Sequence, residues 1–169
     1  MREERPFKPS VLDKLIGGLA RKKGDGSRDT LPCYVGSLDN FNERELRAVV
    51  IRDISWILND VHFEAVVPLE DYPEIATSVV NQGIGDQTSL IVNSTGLARR
   101  ARSLADAVRA FEPRLLPDSV RVTYERTDVD DENKLRFTIQ GELKGAVDDR
   151  YVELKTAIAL DTGEVEVKG

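Results

Sequence analysis

One acidic residue stands in a context that singles it out for chemistry. Glu112 lies in Phe111-Glu112-Pro113-Arg114, where an apolar helical pattern stops at a proline and the chain turns. A carboxyl group on a rigid corner could act as the acid of a glycoside hydrolase, which needs two carboxyl groups at a set separation. With 30 Asp and Glu in the chain, some pair will meet that separation by chance. Arg114 argues against the acid: a guanidinium close to a carboxyl favours its ionised form, the wrong direction for a proton donor near neutral pH. The other readings place Glu112 and Arg114 on a stiff turn. There they project towards another chain, or pair with each other or with a local backbone group. His62, the single histidine, follows a helix in Asp60-Val61-His62-Phe63-Glu64 and reads as a helix-end residue interacting with terminal carbonyls. Asp128, Asp130, Asp131 and Glu132 could attract calcium, but they lack the spacing and glycine of an EF-hand and read as a solvated turn. One His and one Cys cannot build the usual zinc site. No G-x-x-x-x-G-K-S/T loop is present, and Gly83-Ile84-Gly85 is too short to mark a dinucleotide site. No metal or cofactor is expected.

The elements that must position this corner follow from periodicity. Ser10 reads as an N-cap with Asp13 three residues on, and Val11, Leu12, Leu15, Ile16 and Leu19 form one apolar helical face. That helix is too short to stand alone in water and needs a surface, in its own domain or on another subunit. Residues 20–40, rich in Gly, Lys, Arg, Asp and Ser, read as a linker. Asn42 and Glu45 make a box-like start for a longer helix, in which Leu46, Val49, Val50, Ile54, Ile57, Leu58 and Val61 recur at helical spacing. Arg44, Arg47 and Arg52 lie away from that stripe, and Trp56 sits at its edge. A short helix is expected from about Tyr72 to Val80. Another spans Ser94 to Phe111, with Leu97, Ala101, Leu104, Ala105, Val108 and Phe111 inward and Arg99, Arg100, Arg102 and Arg109 outward. After Pro113 the period changes to two: Val120, Val122 and Tyr124; Leu135, Phe137, Ile139 and Leu143; Val152, Leu154, Thr156, Ile158 and Leu160. Such alternation predicts antiparallel strands covered on one side, with turns at Thr127–Lys134, Gly145–Arg150 and Asp161-Thr162-Gly163 before Val165 and Val167. The fold class is α+β: helices first, packed on a small antiparallel sheet, with an N-terminal helical arm over 1–40 and the main domain over 41–169.

The 169 residues are 40% hydrophobic, enough for one core, and the net charge is −6 at pH 7. Residues 1–30 carry a net +3, which leaves −9 on the rest. A basic arm on an acidic body suits docking on a partner or a solvated terminus, and the acidic balance disfavours nucleic acid. With Cys33 alone no intrachain disulfide forms. The start has no apolar stretch of a signal peptide, and no run approaches the ~20 residues that span a bilayer. A cytoplasmic protein is expected.

Five segments in order give the chain a specific resemblance. They are Arg5-Pro6 with Pro9-Ser10-Val11-Leu12-Asp13-Lys14-Leu15; Val50-Ile51-Arg52-Asp53-Ile54-Ser55-Trp56-Ile57-Leu58-Asn59; Ser78-Val79-Val80-Asn81-Gln82-Gly83-Ile84-Gly85-Asp86; Phe111-Glu112-Pro113-Arg114-Leu115; and Leu135-Arg136-Phe137-Thr138-Ile139-Gln140-Gly141-Glu142-Leu143. Together they resemble the TssE family, type VI secretion subunits similar to the small "lysozyme-like" baseplate wedge protein of contractile phage tails. Two departures lie in the third segment, where Gln82 replaces an aromatic residue and Gly85 a proline, so that loop is expected to be more flexible. The resemblance implies a non-enzymatic baseplate subunit on the inner-membrane-docked baseplate. Its implied partners are the wedge subunits TssF, TssG and TssK and the start of the TssB–TssC sheath, whose assembly it helps nucleate. Glu112, Pro113 and Arg114 are the implied interface, with Arg52, Asp53 and Trp56 as further candidates. The alternatives are a peptidoglycan-cleaving muramidase with Glu112 as acid, or the equivalent wedge protein of a phage-like contractile tail.

Overall fold

The computed structural model describes residues 7–15, 41–85, 94–124, 134–146, 150–160 and 162–168. Ile16 and Leu19 of the first helix, the 20–40 linker with Cys33, the turn residues 127–133 with the acidic cluster Asp128–Glu132, residues 147–149 and Asp161 therefore lie outside the described residues.

Helix α1, Glu43–Asn59, begins where the sequence places it. The Asn42 side chain accepts hydrogen bonds from Arg44 N at 2.8 Å and Glu45 N at 3.3 Å, and the Glu45 carboxylate accepts one from Asn42 N. This satisfies backbone donors that a helix start otherwise leaves without partners. Leu46, Val49, Val50, Ile54, Ile57 and Leu58 form its buried stripe. Val61 departs from the expected stripe: it is exposed, because the helix has ended at Asp60 and Val61 makes an isolated parallel bridge with Ile84.

The expected helix over 72–80 is broken. Pro73–Ala76 forms one α turn, α2, and Val79–Asn81 a separate 3-10 turn. Asn81 accounts for the break. It is buried, its amide donates to Ala76 O at 3.0 Å, and its carbonyl accepts from Glu64 N at 2.9 Å. It thus ties the two turns to the Phe63–Ala65 turn. Gly83 then brings the chain against the end of α1 at φ 132°, and a Cβ there would sit 2.7 Å from both Asp60 O and His62 N. Only glycine fits that approach.

Helix α3, Ser94–Phe111, matches its expected span. Leu97, Ala101, Leu104, Ala105 and Val108 are buried, and Phe111 packs against the core from its edge. Arg100 differs from expectation. It is buried rather than outward, and Nη1 donates to Gly85 O at 3.4 Å. Its long stem packs inward while the head finds a carbonyl.

The sheet has the order β1-β2-β3-β4, all antiparallel: Arg121–Tyr124, Lys134–Glu142, Tyr151–Ala159 and Val165–Lys168. The register sets Leu135 opposite Ile158, Phe137 opposite Thr156 and Ile139 opposite Leu154, all buried on one face. Thr156 is the polar member, and its hydroxyl donates to Phe137 O at 3.1 Å. Such a bond offsets the desolvation of a buried hydroxyl. On the opposite face Gln140 meets Glu153, with Nε2 donating at 2.9 Å. Helix α3 lies against β1 and α1 against β4, and the two helices touch each other, so together they cover one face of the sheet. Asn59 closes that layer: its carbonyl accepts from Val165 N and its amide donates to Val165 O, both at 2.9 Å.

The first helix corrects an expectation. Residues 11–15 are helical and the Ser10–Asp13 box forms, yet Val11, Leu12 and Leu15 are exposed and Asp13 is buried. The segment lies on its own domain by its polar side.

Candidate functional site

The corner between α3 and β1 is built from backbone contacts. Helix α3 stops at Phe111 because Pro113 cannot continue the ladder. Leu115 makes an antiparallel bridge with Leu143, Leu116 N donates to Glu142 O, and Lys144 N donates to Arg114 O at 2.8 Å. The Lys144 ammonium donates to Pro113 O at 2.6 Å. The turn is thus held against the far end of β2. Gly141 permits this approach, since a Cβ there would sit 3.1 Å from a Leu115 methyl.

Glu112 does not project from this corner as one of the sequence readings has it. Its side chain is fully buried. Oε1 accepts from Arg114 N at 3.0 Å and from Arg114 Nε at 2.7 Å, and Oε2 accepts from Arg114 Nη2 at 2.6 Å. The reading in which Glu112 and Arg114 pair with each other and with local backbone is the one the geometry shows. Pro113 fixes the backbone between the two residues, and across it both the Arg114 backbone N–H and its guanidinium reach the Glu112 carboxylate.

The chain of charges continues onto α1. Arg114 Nη2 also donates to Asp53 Oδ2 at 2.5 Å. Asp53 Oδ1 accepts from Arg52 Nε at 2.7 Å, and Arg52 Nη1 donates to Asp13 Oδ1 at 2.7 Å. Neighbouring residues on a helix do not share a face, so the long Arg52 must fold back to reach Asp53. Its guanidinium also lies 4.8 Å from the centre of the Trp56 ring, one turn on, a cation–π contact. Two ends of the chain are sealed, Asp13 and Glu112 at 0% side-chain exposure, while Asp53 and Arg114 keep 22% and 26%. Burial pulls the Arg114 guanidinium's pKa down, but Glu112 and then Asp53 outweigh it and hold the group above its ordinary range. Burial likewise raises the Asp13 carboxyl, and the hydrogen bonds from Ser10 and Arg52 outweigh that, leaving it below its ordinary 3.8.

The structure therefore brings Glu112, Arg114, Asp53, Arg52 and Trp56 into one contiguous set, with Pro113 exposed beside them. The sequence names Arg52, Asp53 and Trp56 as further interface candidates without showing that they meet the corner. Asp13 is the member it missed. The signal was the Ser10–Asp13 box, which accounts for one carboxylate oxygen and leaves Oδ1 free for a distant partner.

This arrangement is poor for acid catalysis at Glu112. A proton donor must reach its substrate, and this carboxylate is sealed with both oxygens engaged by Arg114. His62 lies elsewhere, lining a shallow cleft with Glu64, Arg102 and Phe111, and its backbone N–H donates to Ile84 O at 3.2 Å. Among the described residues no group of three or more His, Cys, Asp or Glu could hold a metal ion.

The sequence pattern of the baseplate wedge protein gp25 family matches residues 44–147, well over half of the chain. The chain belongs to that family. The matched span contains α1 from its second residue on, the corner and the first two strands, and so every member of the charge chain except Asp13. A crystal structure of a Geobacter sulfurreducens protein described as a tail lysozyme aligns with TM-score 0.47 at 18% identity, covering 69% of this chain and 92% of that one. The lysozyme name belongs to the Geobacter protein. Among curated proteins none matches the chain in sequence. Among the described residues no helix of this baseplate wedge protein is long and apolar enough to cross a membrane.

Proposed function

We propose that this baseplate wedge protein is a non-enzymatic structural subunit of a type VI secretion machine, joining the TssF, TssG and TssK wedge to the first ring of the TssB–TssC sheath. The observation that carries the reading is the locked corner. Glu112 is spent on fixing Arg114, and what is left at the surface is a stiff Pro113 beside a partly exposed guanidinium. A group held rigidly at a surface loses little entropy on binding, which suits an assembly contact. The five ordered segments resemble TssE, and the genes beside this one, not the sequence, separate a secretion machine from a phage-like tail. Sealed Glu112 supports a role without catalysis. The sheet supports the sheath side of the reading: β1 and β4 are edge strands of four residues each, and each pairs with only part of a nine-residue neighbour. Backbone groups along such edges can be completed by a strand from a neighbouring subunit. Function at the cytoplasmic side of the inner membrane, on the docked baseplate, belongs to the same proposal.

The test is co-purification with TssF, TssG and TssK. Wild type is expected to enter the wedge complex. Folded Arg114→Ala and Arg114→Lys variants are expected to lose it, since lysine keeps the charge and not the planar fork. Full capture of both folded variants would remove the corner from the interface. Failure of wild type to bind, together with peptidoglycan cleavage by the purified chain, would replace the assembly reading with the muramidase one.

A further inference from the structure

Residues 7–15 touch the domain at two places of opposite character. Phe7 packs against the edge of the core and lies over the turn after β2, where a Cβ on Gly145 would sit 3.7 Å from its ring. Lys144, the residue before that glycine, holds the carbonyls of both Pro113 and Arg114. At the other end Asp13 is buried on α1, where it accepts from Arg52. The apolar residues Val11, Leu12 and Leu15 are exposed. The segment is therefore held by Phe7 and by a charge, not by its apolar stripe.

The charge is the informative half. Arg52 divides its guanidinium between Asp13 through Nη1 and Asp53 through Nε. With Oδ1 of Asp53 taken by Arg52, Oδ2 is aimed at Arg114. Arg114 in turn is shared between Asp53 and Glu112. Each charged group is oriented by the next, in unbroken contact from the N-terminal segment to the corner. We infer that residues 7–15 are a strap held in cis, and that Asp13 is a positioning residue for the corner, setting the orientation of Arg114 through Arg52 and Asp53. Asp13 lies outside the span that matches the gp25 family. Its effect on assembly rests on the reading that the corner docks on wedge subunits; its effect on Arg114 is a property of the isolated chain.

The chain carries its own reporter. Trp56 is the only tryptophan and lies under the Arg52 guanidinium. The experiment uses full-length wild type, Asp13→Ala, Asp13→Asn and Asp13→Glu. It records Trp56 emission and acrylamide quenching, and the 1H–15N resonance of the Arg114 Nε–H. Circular dichroism checks the fold; should the alanine variant not fold, the isosteric asparagine variant carries the same measurements. Loss of the Asp13 charge is expected to shift both the Trp56 emission and the Arg114 resonance, and glutamate is expected to recover part of each. A strap with a merely local role would change Trp56 and leave Arg114 as in wild type, and that result overturns the inference.

Wedge capture supplies the second arm. Asp13→Asn is expected to weaken it about fivefold or more, the low end of ordinary coupling between sites. Undiminished capture of Asp13→Asn beside lost capture of Arg114→Ala would also overturn the positioning role. Undiminished capture of Arg114→Ala would instead sink the docking reading, and the Arg114 resonance would then decide the strap alone.

Discussion

Glu112 is a buried carboxylate whose partner is two residues away, and that proximity makes the pair indispensable to each other. Taking a charge out of water is costly unless another charge and several hydrogen bonds meet it. Glu112 has three such bonds, all from Arg114. Removing one partner strands the other. Glu112→Ala leaves Arg114 with Asp53 alone and is expected to destabilise the chain by about 3 kcal/mol, the low end for a broken buried pair because Arg114 is partly solvated. Urea unfolding gives the value. A Glu112→Ala/Arg114→Ala double variant is expected to lose clearly less than the sum of the two single losses, since neither charge is then left alone. Additive losses would show that the two groups act independently.

At the scale of elements, the helix starts rest on local chemistry. The Asn42–Glu45 box satisfies donors at the head of α1, so Asn42→Ala is expected to cost about 1 kcal/mol in thermal or urea unfolding, with the fold retained. The cost is expected to be confined to stability, because Asn42 makes no contact with the charge chain. The short helix expected over 72–80 fails for a reason periodicity cannot show. The apolar residues Val79 and Val80 are exposed, and the buried residue is the polar Asn81, which organises two turns through its amide. Gly83 imposes a second constraint, the near-contact with Asp60 and His62.

Across the whole molecule, the strap and the corner join pieces far apart in sequence, from residue 13 through 52 and 53 to 112 and 114. This long-range pairing gives the protein an acid-sensitive feature. The Asp13 pKa lies below its ordinary 3.8 in the folded chain. A group with a depressed folded pKa contributes stability that is fully present above its unfolded pKa and is lost as pH falls through the folded value. The stability difference between wild type and Asp13→Asn is therefore expected to be constant above about pH 5 and to shrink as pH falls below about 4. Urea midpoints of the two chains across that range check it. A difference that stayed constant into acid would mean that the Asp13 charge contributes nothing to the folded state.

The sequence by itself determined the α+β class, the spans of α1 and α3 and the alternation of the sheet strands. These depend on local rules: capping chemistry, a period of 3.6 or 2, and the stop at Pro113. It also marked Glu112-Pro113-Arg114 as the corner worth watching. Only the tertiary structure decided what the corner residues do. Whether Glu112 points out or in depends on Arg114 finding Asp53 across 61 positions, and no periodicity encodes that distance. The first helix shows the same limit more sharply. Its apolar stripe was legible in Val11, Leu12 and Leu15, and a stripe ordinarily marks the buried side. Here the buried residue is Asp13, because a carboxylate already half-satisfied by Ser10 meets the Arg52 guanidinium on α1, a pairing across 39 positions that the local apolar pattern does not encode.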